Sequence, residues 1–96
     1  MRVRKDMVNA FVNIKCEKKT FSKLAKELLK IKGVTEVYAV TGEFDLIAVI
    51  RAATHEIAAK IVTDSIMELE SIEDTNTVIA LNTYTQYDLD TIFKGE

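Results

Sequence analysis

The residues best placed to do chemistry in this 96-residue chain sit in one short run, Tyr38-Ala39-Val40-Thr41-Gly42-Glu43-Phe44-Asp45-Leu46. A glycine in a turn lets a ligand approach the backbone closely, because no Cβ stands in the way. The neighbouring N–H groups can hold a carboxylate, and Glu43 or Asp45 can meet an ammonium group. Carboxylate and ammonium together describe an amino acid. Spacing alone favours something plainer, a hairpin turn whose acidic residues point into solvent.

Elsewhere the chain offers little to an enzyme, which needs a nucleophile with its base, paired acids, a metal or a cofactor pocket. One cysteine (Cys16) and one histidine (His55) cannot build a zinc site, an iron–sulfur cluster or a disulfide framework within a single chain. Lys15, Lys18 and Lys19 near Cys16 could lower a thiol pKa, but nothing in the sequence gives the thiol a reaction partner, and packing is its simpler role. His55, beside Thr54 and Glu56, reads as a surface residue at a helix start. The three glycines, at 33, 42 and 95, form no phosphate-cradling loop. No metal or cofactor is expected.

Six elements must position the Gly42 turn. Val8 to Lys15 alternates, with Val8, Ala10, Val12 and Ile14 on one side and Asn9, Phe11, Asn13 and Lys15 on the other, which predicts a strand. From Thr20, a candidate N-cap, the apolar residues Phe21, Leu24, Ala25, Leu28 and Ile31 recur at helical steps, and Gly33 stands where a C-terminal glycine stop belongs. Val34 to Thr41 and Asp45 to Arg51 are rich in β-formers and predict a hairpin closed tightly at Gly42-Glu43-Phe44. Thr54 caps a second helix with Ile57, Ala58, Ile61, Val62, Ile66 or Met67, and Leu69 available for one face, ended by the polar stretch Glu70 to Asp74. Thr75 to Thr83 makes a fourth strand. The order is βαββαβ, a ferredoxin-like α+β fold: a four-stranded antiparallel sheet, order 4-1-3-2, with both helices on one face.

A short polar extension, residues 84–96, follows a core of about residues 8–83. In it Asp88 precedes Leu89, Ile92 and Phe93 at helical spacing, predicting a capped helical turn that docks on a neighbouring subunit. Apolar residues also appear on both sides of the third and fourth strands, so the open sheet face should drive dimerisation through the sheet or its edge. A hydrophobic fraction of 48% with 29% charged residues is ordinary for one globular domain spanning residues 1–96. No apolar run approaches the roughly 18 residues of a spanning helix, and the N-terminus leads into no signal-peptide core, so a cytoplasmic protein without membrane partners is expected.

The net charge of -2 hides a segregation: residues 1–32 carry ten basic residues against three acidic ones, a net of +7, and the remainder nets -9. Such asymmetry can mark a nucleic-acid surface, but oppositely charged, solvated helix faces account for it more simply. RNA recognition by stacking is disfavoured, because Phe11 is the lone aromatic in the two central strands. With seven residues before the first strand, no helix-turn-helix is expected.

The run Gly33-Val34-Thr35-Glu36-Val37-Tyr38-Ala39-Val40-Thr41-Gly42-Glu43-Phe44-Asp45, with the later Ile72-Glu73-Asp74-Thr75-Asn76-Thr77-Val78-Ile79-Ala80-Leu81, resembles the effector domain of the Lrp/AsnC (leucine-responsive, feast/famine) transcription regulators. That module is also called the RAM domain, for regulation of amino acid metabolism. The match runs from about Val8 to Leu81. It implies sheet-packed homodimers, often assembled as rings of four dimers, with a small effector, commonly an amino acid, bound between dimers near the glycine turn. Carried over by position, the implied ligand-binding residues are Thr41, Gly42, Glu43, Phe44 and Asp45 from the turn, with Thr75 and Thr77 from the last strand as hydroxyl donors. The family's N-terminal DNA-binding domain has no counterpart in this chain, so the resemblance is to stand-alone RAM proteins. These act through self-assembly or through a full-length Lrp/AsnC regulator as partner, with no direct DNA binding expected.

Two other functions stay open at this level. A small dimeric α+β barrel enzyme would need a polar constellation between helices and sheet, for which Asn9, Asn13, His55 and Tyr38 are the candidates. An ACT-type amino-acid-binding domain has a similar element order and ligand class, but the Gly-Glu-Phe-Asp turn favours the RAM pattern.

Overall fold

A computed structural model of the chain describes residues 7–86. Strand β1 (Val8–Cys16) follows the alternation of its sequence, with Ala10, Val12, Ile14 and Cys16 buried. Helix α1 (Phe21–Leu29) buries Leu24 and Leu28. Thr20 does not cap it. Its hydroxyl donates to the Glu17 carbonyl at 2.6 Å and closes a 3₁₀ turn, Lys18–Thr20, ahead of the helix. Gly33 has φ +101°, and its carbonyl accepts from Arg51 N at 2.8 Å, which turns the chain into β2 (Val34–Ala39).

β2 pairs antiparallel with β3 (Leu46–Ala52), and Ala39 opposite Leu46 is the last pair. The connection therefore spans residues 40–45, longer than the tight turn expected from Gly42-Glu43-Phe44, and is closed by Val40 N donating to the Asp45 carbonyl at 3.0 Å. Thr54 caps α2 (His55–Lys60) as expected, its Oγ1 accepting from Ile57 N at 3.1 Å. The helix continues as a π-helical segment, Ile61–Ile66, in which Met67 N reaches back five residues to the Val62 carbonyl at 2.9 Å. That wider turn makes Ala58, Val62 and Ile66 the buried line, and leaves Ile57 and Met67 exposed.

β4 runs Ile72–Ile79, three residues earlier than the sequence pattern places it. Pairing decides this: Cys16 stands opposite Ile72 and Lys15 opposite Asp74, so residues expected to end the helix are recruited by β1. The ladder closes with Ala80 N donating to Asn9 O at 2.9 Å, one residue from the start of β1. The sheet order is β2-β3-β1-β4, as predicted. The helices share one face, where Leu24, Leu28, Ala58, Val62 and Ile66 meet Ala10, Val12, Ile14, Leu46, Ala48 and Ile50. The helical turn expected around Asp88, Leu89, Ile92 and Phe93 lies outside the described residues.

Candidate functional site

The 40–45 loop projects from the end of the β2–β3 hairpin with Thr41, Gly42 and Glu43 exposed and Phe44 and Asp45 half-buried. Gly42 has φ +114°, a conformation L side chains rarely adopt, and a Cβ built there would meet nothing within 4 Å. The space over its backbone is open. Among the described residues the N–H groups of Thr41, Gly42, Glu43 and Phe44 have no intramolecular acceptor. The loop thus offers donors without side-chain obstruction, together with the Glu43 carboxylate.

Asp45 has a structural task that its sequence position does not announce. Its N–H donates to Ile14 O at 2.8 Å, and its Oδ2 accepts from Cys16 N at 3.0 Å. The β1–β4 register shifts between Lys15 and Cys16, and a bulge of this kind takes an N–H out of the regular ladder. Asp45 satisfies that donor and anchors the loop to β1. One carboxylate oxygen remains for other work.

Thr75 and Thr77 lie opposite Ile14 and Val12, so both belong to the helix-side face of β4. Thr75 is at the same end of the sheet as the 40–45 loop, but β1 stands between them. Two strand spacings put β3 and β4 about 10 Å apart. Thr77 is two residues further along and lines a separate apolar groove with Ala58, Ala59, Val62, Thr63 and Ile79. Within one chain, the turn residues and the threonines do not converge on a single point.

Nor do the residues of the barrel-enzyme alternative come together. Asn9, Asn13 and Tyr38 occupy the sheet face opposite the helices, where Arg51 Nε donates to Asn9 Oδ1 at 3.0 Å and Tyr38 OH to Glu36 Oε1 at 2.9 Å. His55 is exposed at the first turn of α2. Among the described residues no polar or charged side chain is buried. Cys16 is buried, and desolvation, opposed by a hydrogen bond from Thr20 and helped by the Asp45 charge, pushes its thiol above the ordinary range. The net effect is opposite to the lowering that its lysine neighbours in sequence suggested. Tyr38 is also raised, because Glu36 accepts its phenolic hydrogen and its negative charge opposes ionisation.

Residues 9–89 match the family model described as the Lrp/AsnC ligand binding domain. The chain belongs to that family. The HTH-type transcriptional regulator FL11 of Pyrococcus furiosus is 31% identical to this Lrp/AsnC domain over 77 residues, 80% of this chain and 50% of FL11. An uncharacterised HTH-type transcriptional regulator of the same organism is 36% identical over 64 residues, 67% of this chain and 43% of that protein. The chain thus spans about half, or less, of the curated relatives it matches. Among solved structures, TTHA0845 from Thermus thermophilus superposes with a TM-score of 0.76 at 34% identity, over 82% of this chain and 99% of that one. A transcriptional regulator of Neisseria meningitidis solved as its L-Met complex superposes with a TM-score of 0.71 over 82% of this chain and 54% of that one, and at 19% identity shows the shared fold.

A regulatory, effector-binding role follows for this Lrp/AsnC domain. Its named relatives are transcriptional regulators. No helix among the described residues is long and apolar enough to cross a membrane. On the open sheet face, Glu36, Val49, Phe11 and Val78 form one row across the strands, and Tyr38, Ile47, Asn13 and Asn76 form the next. Phe11, Val78 and Tyr38 are 38%, 51% and 50% exposed. The apolar part of this face is continuous from β2 to β4 and bordered by polar residues.

Proposed function

We propose that this domain binds an amino acid or a closely related small metabolite at the Gly42 loop, and that binding is coupled to assembly with further copies or with a full-length Lrp/AsnC regulator. The observation that carries the proposal is the open backbone at Gly42, with unpaired N–H groups on both sides and Glu43 adjacent. The N–H groups would take the effector's carboxylate and Glu43 its ammonium group. Asp45 contributes by holding the loop against β1, and Thr75 is the nearer of the two β4 hydroxyls. A single chain leaves the loop exposed, so a neighbouring copy would supply the remaining walls. The L-Met complex of the Neisseria meningitidis regulator supports this ligand class.

The open sheet face supports self-association. A continuous apolar patch rimmed by polar groups is what a soluble chain covers with a partner. An effector seated between copies stabilises only the assembled form, so binding and assembly rise together by linkage. Thermal shift with each of the twenty amino acids, paired with sedimentation velocity, tests the proposal. An effector at a hundred times its Kd contributes about 2.7 kcal/mol, which for a domain this small is roughly 10 °C or more in Tm. No change in Tm or sedimentation with any amino acid would count decisively against it.

A further inference from the structure

Basic and acidic side chains occupy opposite edges of this domain. Lys19, Lys23, Lys26 and Lys30 follow one another at steps of four, three and four residues, so they form one stripe along α1 and the 3₁₀ turn before it, and all are exposed. Lys32 is exposed just beyond the helix, and Glu27, half-buried, is the one acid between residues 18 and 32. From residue 61 to the last described residue the chain has no lysine or arginine. Asp64, Glu68, Glu70, Glu73 and Asp74 fall in that stretch, which leads from the end of the second helix into β4, and all are exposed.

The fold keeps the two sets apart. α1 packs over β2, one edge of the sheet, whereas the acidic stretch ends on β4, the other edge, and α2 packs over the two strands between. Three strand spacings separate the edges by about 14 Å, beyond the reach of an ion pair and longer than the Debye length of about 8 Å at physiological salt. Among the described residues none of these lysines or carboxylates forms an ion pair, and Asp64 and Asp74 accept hydrogen bonds from their chain neighbours Thr63 and Thr75. Asp74 stands opposite Lys15 in the β1–β4 register, so the unmatched negative charge is mainly that of Asp64, Glu68, Glu70 and Glu73. The chain thus carries a charged surface and its complement without being able to join them. A second copy can.

We propose that the lysine face of α1 docks on the Asp64–Glu73 surface of another copy, so that opposite edges meet in a salt-sensitive contact. Exposed ion pairs are weak one at a time, so the inference rests on the pairing through the open sheet face proposed above. A dimer formed that way presents two lysine faces and two acidic surfaces, and engaging both together makes weak contacts hold. The contact joins dimers to one another and uses neither the Gly42 loop nor an effector.

Sedimentation velocity of the effector-free chain tests this. A species larger than a dimer is expected at about 50 mM salt, falling to the dimer at about 1 M, where the Debye length shrinks to about 3 Å. A lysine variant (Lys23→Glu, Lys26→Glu, Lys30→Glu) and an acid variant (Glu68→Lys, Glu70→Lys, Glu73→Lys) should each stay dimeric at both salt concentrations with the far-UV spectrum of the wild type, since every replaced side chain is exposed. Mixed in equal amounts they should recover the larger species, because each then meets the opposite sign. Wild type no larger than a dimer at low salt, large assemblies in either variant alone, or no recovery on mixing overturns the proposal. A dimer retained at about 1 M salt shows the sheet pairing intact, so such a failure counts against the charged contact alone, whereas monomers at about 1 M refute the pairing and the contact with it. Binding of a DNA duplex that the lysine variant loses, without salt-dependent assembly of the wild type, assigns the lysine face to nucleic acid and also overturns the proposal.

Discussion

Two glycines with similar backbones should respond differently to the same substitution. Gly33 and Gly42 have φ +101° and +114°, so alanine strains both, at about 1–2 kcal/mol each by the handedness preference of L residues. At Gly42 the cost ends there, because the new Cβ meets nothing within 4 Å. At Gly33 the Cβ would lie 2.6 Å from Ile61 Cδ1, and Ile61 packs against the core. The backbone cannot easily withdraw, since the Gly33 carbonyl accepts from Arg51 and Val34 is buried. The clashing atom is the tip of a half-buried side chain, so a turn of the Ile61 side chain relieves the contact at about 1 kcal/mol. With 1 kcal/mol worth roughly 4–8 °C in a domain this small, Gly33→Ala should melt about 4 °C below Gly42→Ala. Both variants should be melted at one protein concentration, because association moves Tm. Repeating the melts with the amino acid that stabilises the wild type separates site from scaffold: Gly42→Ala should lose the ligand-induced shift and Gly33→Ala keep it. Equal destabilisation by the two substitutions, or a full ligand response in Gly42→Ala, would refute the reasoning.

Phe11→Asp should abolish self-association in sedimentation while changing the far-UV spectrum little, since Phe11 lies on the open face and 38% of it is already exposed; a wild-type chain that is monomeric at micromolar concentration would contradict the assembly proposal. Thr54→Ala should cost about 1 kcal/mol in urea unfolding through loss of the α2 cap, and Thr20→Ala distinctly less, because Thr20 caps no helix N–H. Burial raises the Cys16 thiol, so the folded chain holds that proton more tightly than the unfolded chain does. Its contribution is therefore full below the unfolded thiol pKa of about 8.5 and lost as pH rises through the folded value. Unfolding midpoints from pH 7 to 10 should show a decline that Cys16→Ala reduces, with Tyr38→Phe separating the second group raised in the fold.

The sheet was legible in advance where sequence periodicity and burial coincide. The alternation in Val8 to Lys15 named the helix-side residues of β1 and, by parity, put Asn9 and Asn13 on the other face. Hydrogen-bonding decisions were not legible. Nothing in the pattern distinguished Ile66 from Met67 until the π-helical turn altered the phase of the second helix. Glu73 and Asp74 looked like the polar end of a helix, yet an edge strand tolerates exposed acids when its partner supplies the ladder. At the site, Gly42 announced itself as a glycine between two β-rich runs. The engagement of Asp45 did not, because its partner Cys16 N is 29 residues away and its need for an acceptor arises at the β1 bulge.

The central proposal, an amino-acid effector bound at the Gly42 loop, is tested most directly by mapping amide chemical shifts while the stabilising amino acid is titrated into the labelled chain. The largest changes are expected at Thr41, Gly42, Glu43, Phe44 and Asp45, with a smaller one at Thr75, all saturating at one affinity. Saturable shifts confined elsewhere, with the 41–45 amides unmoved, would contradict it.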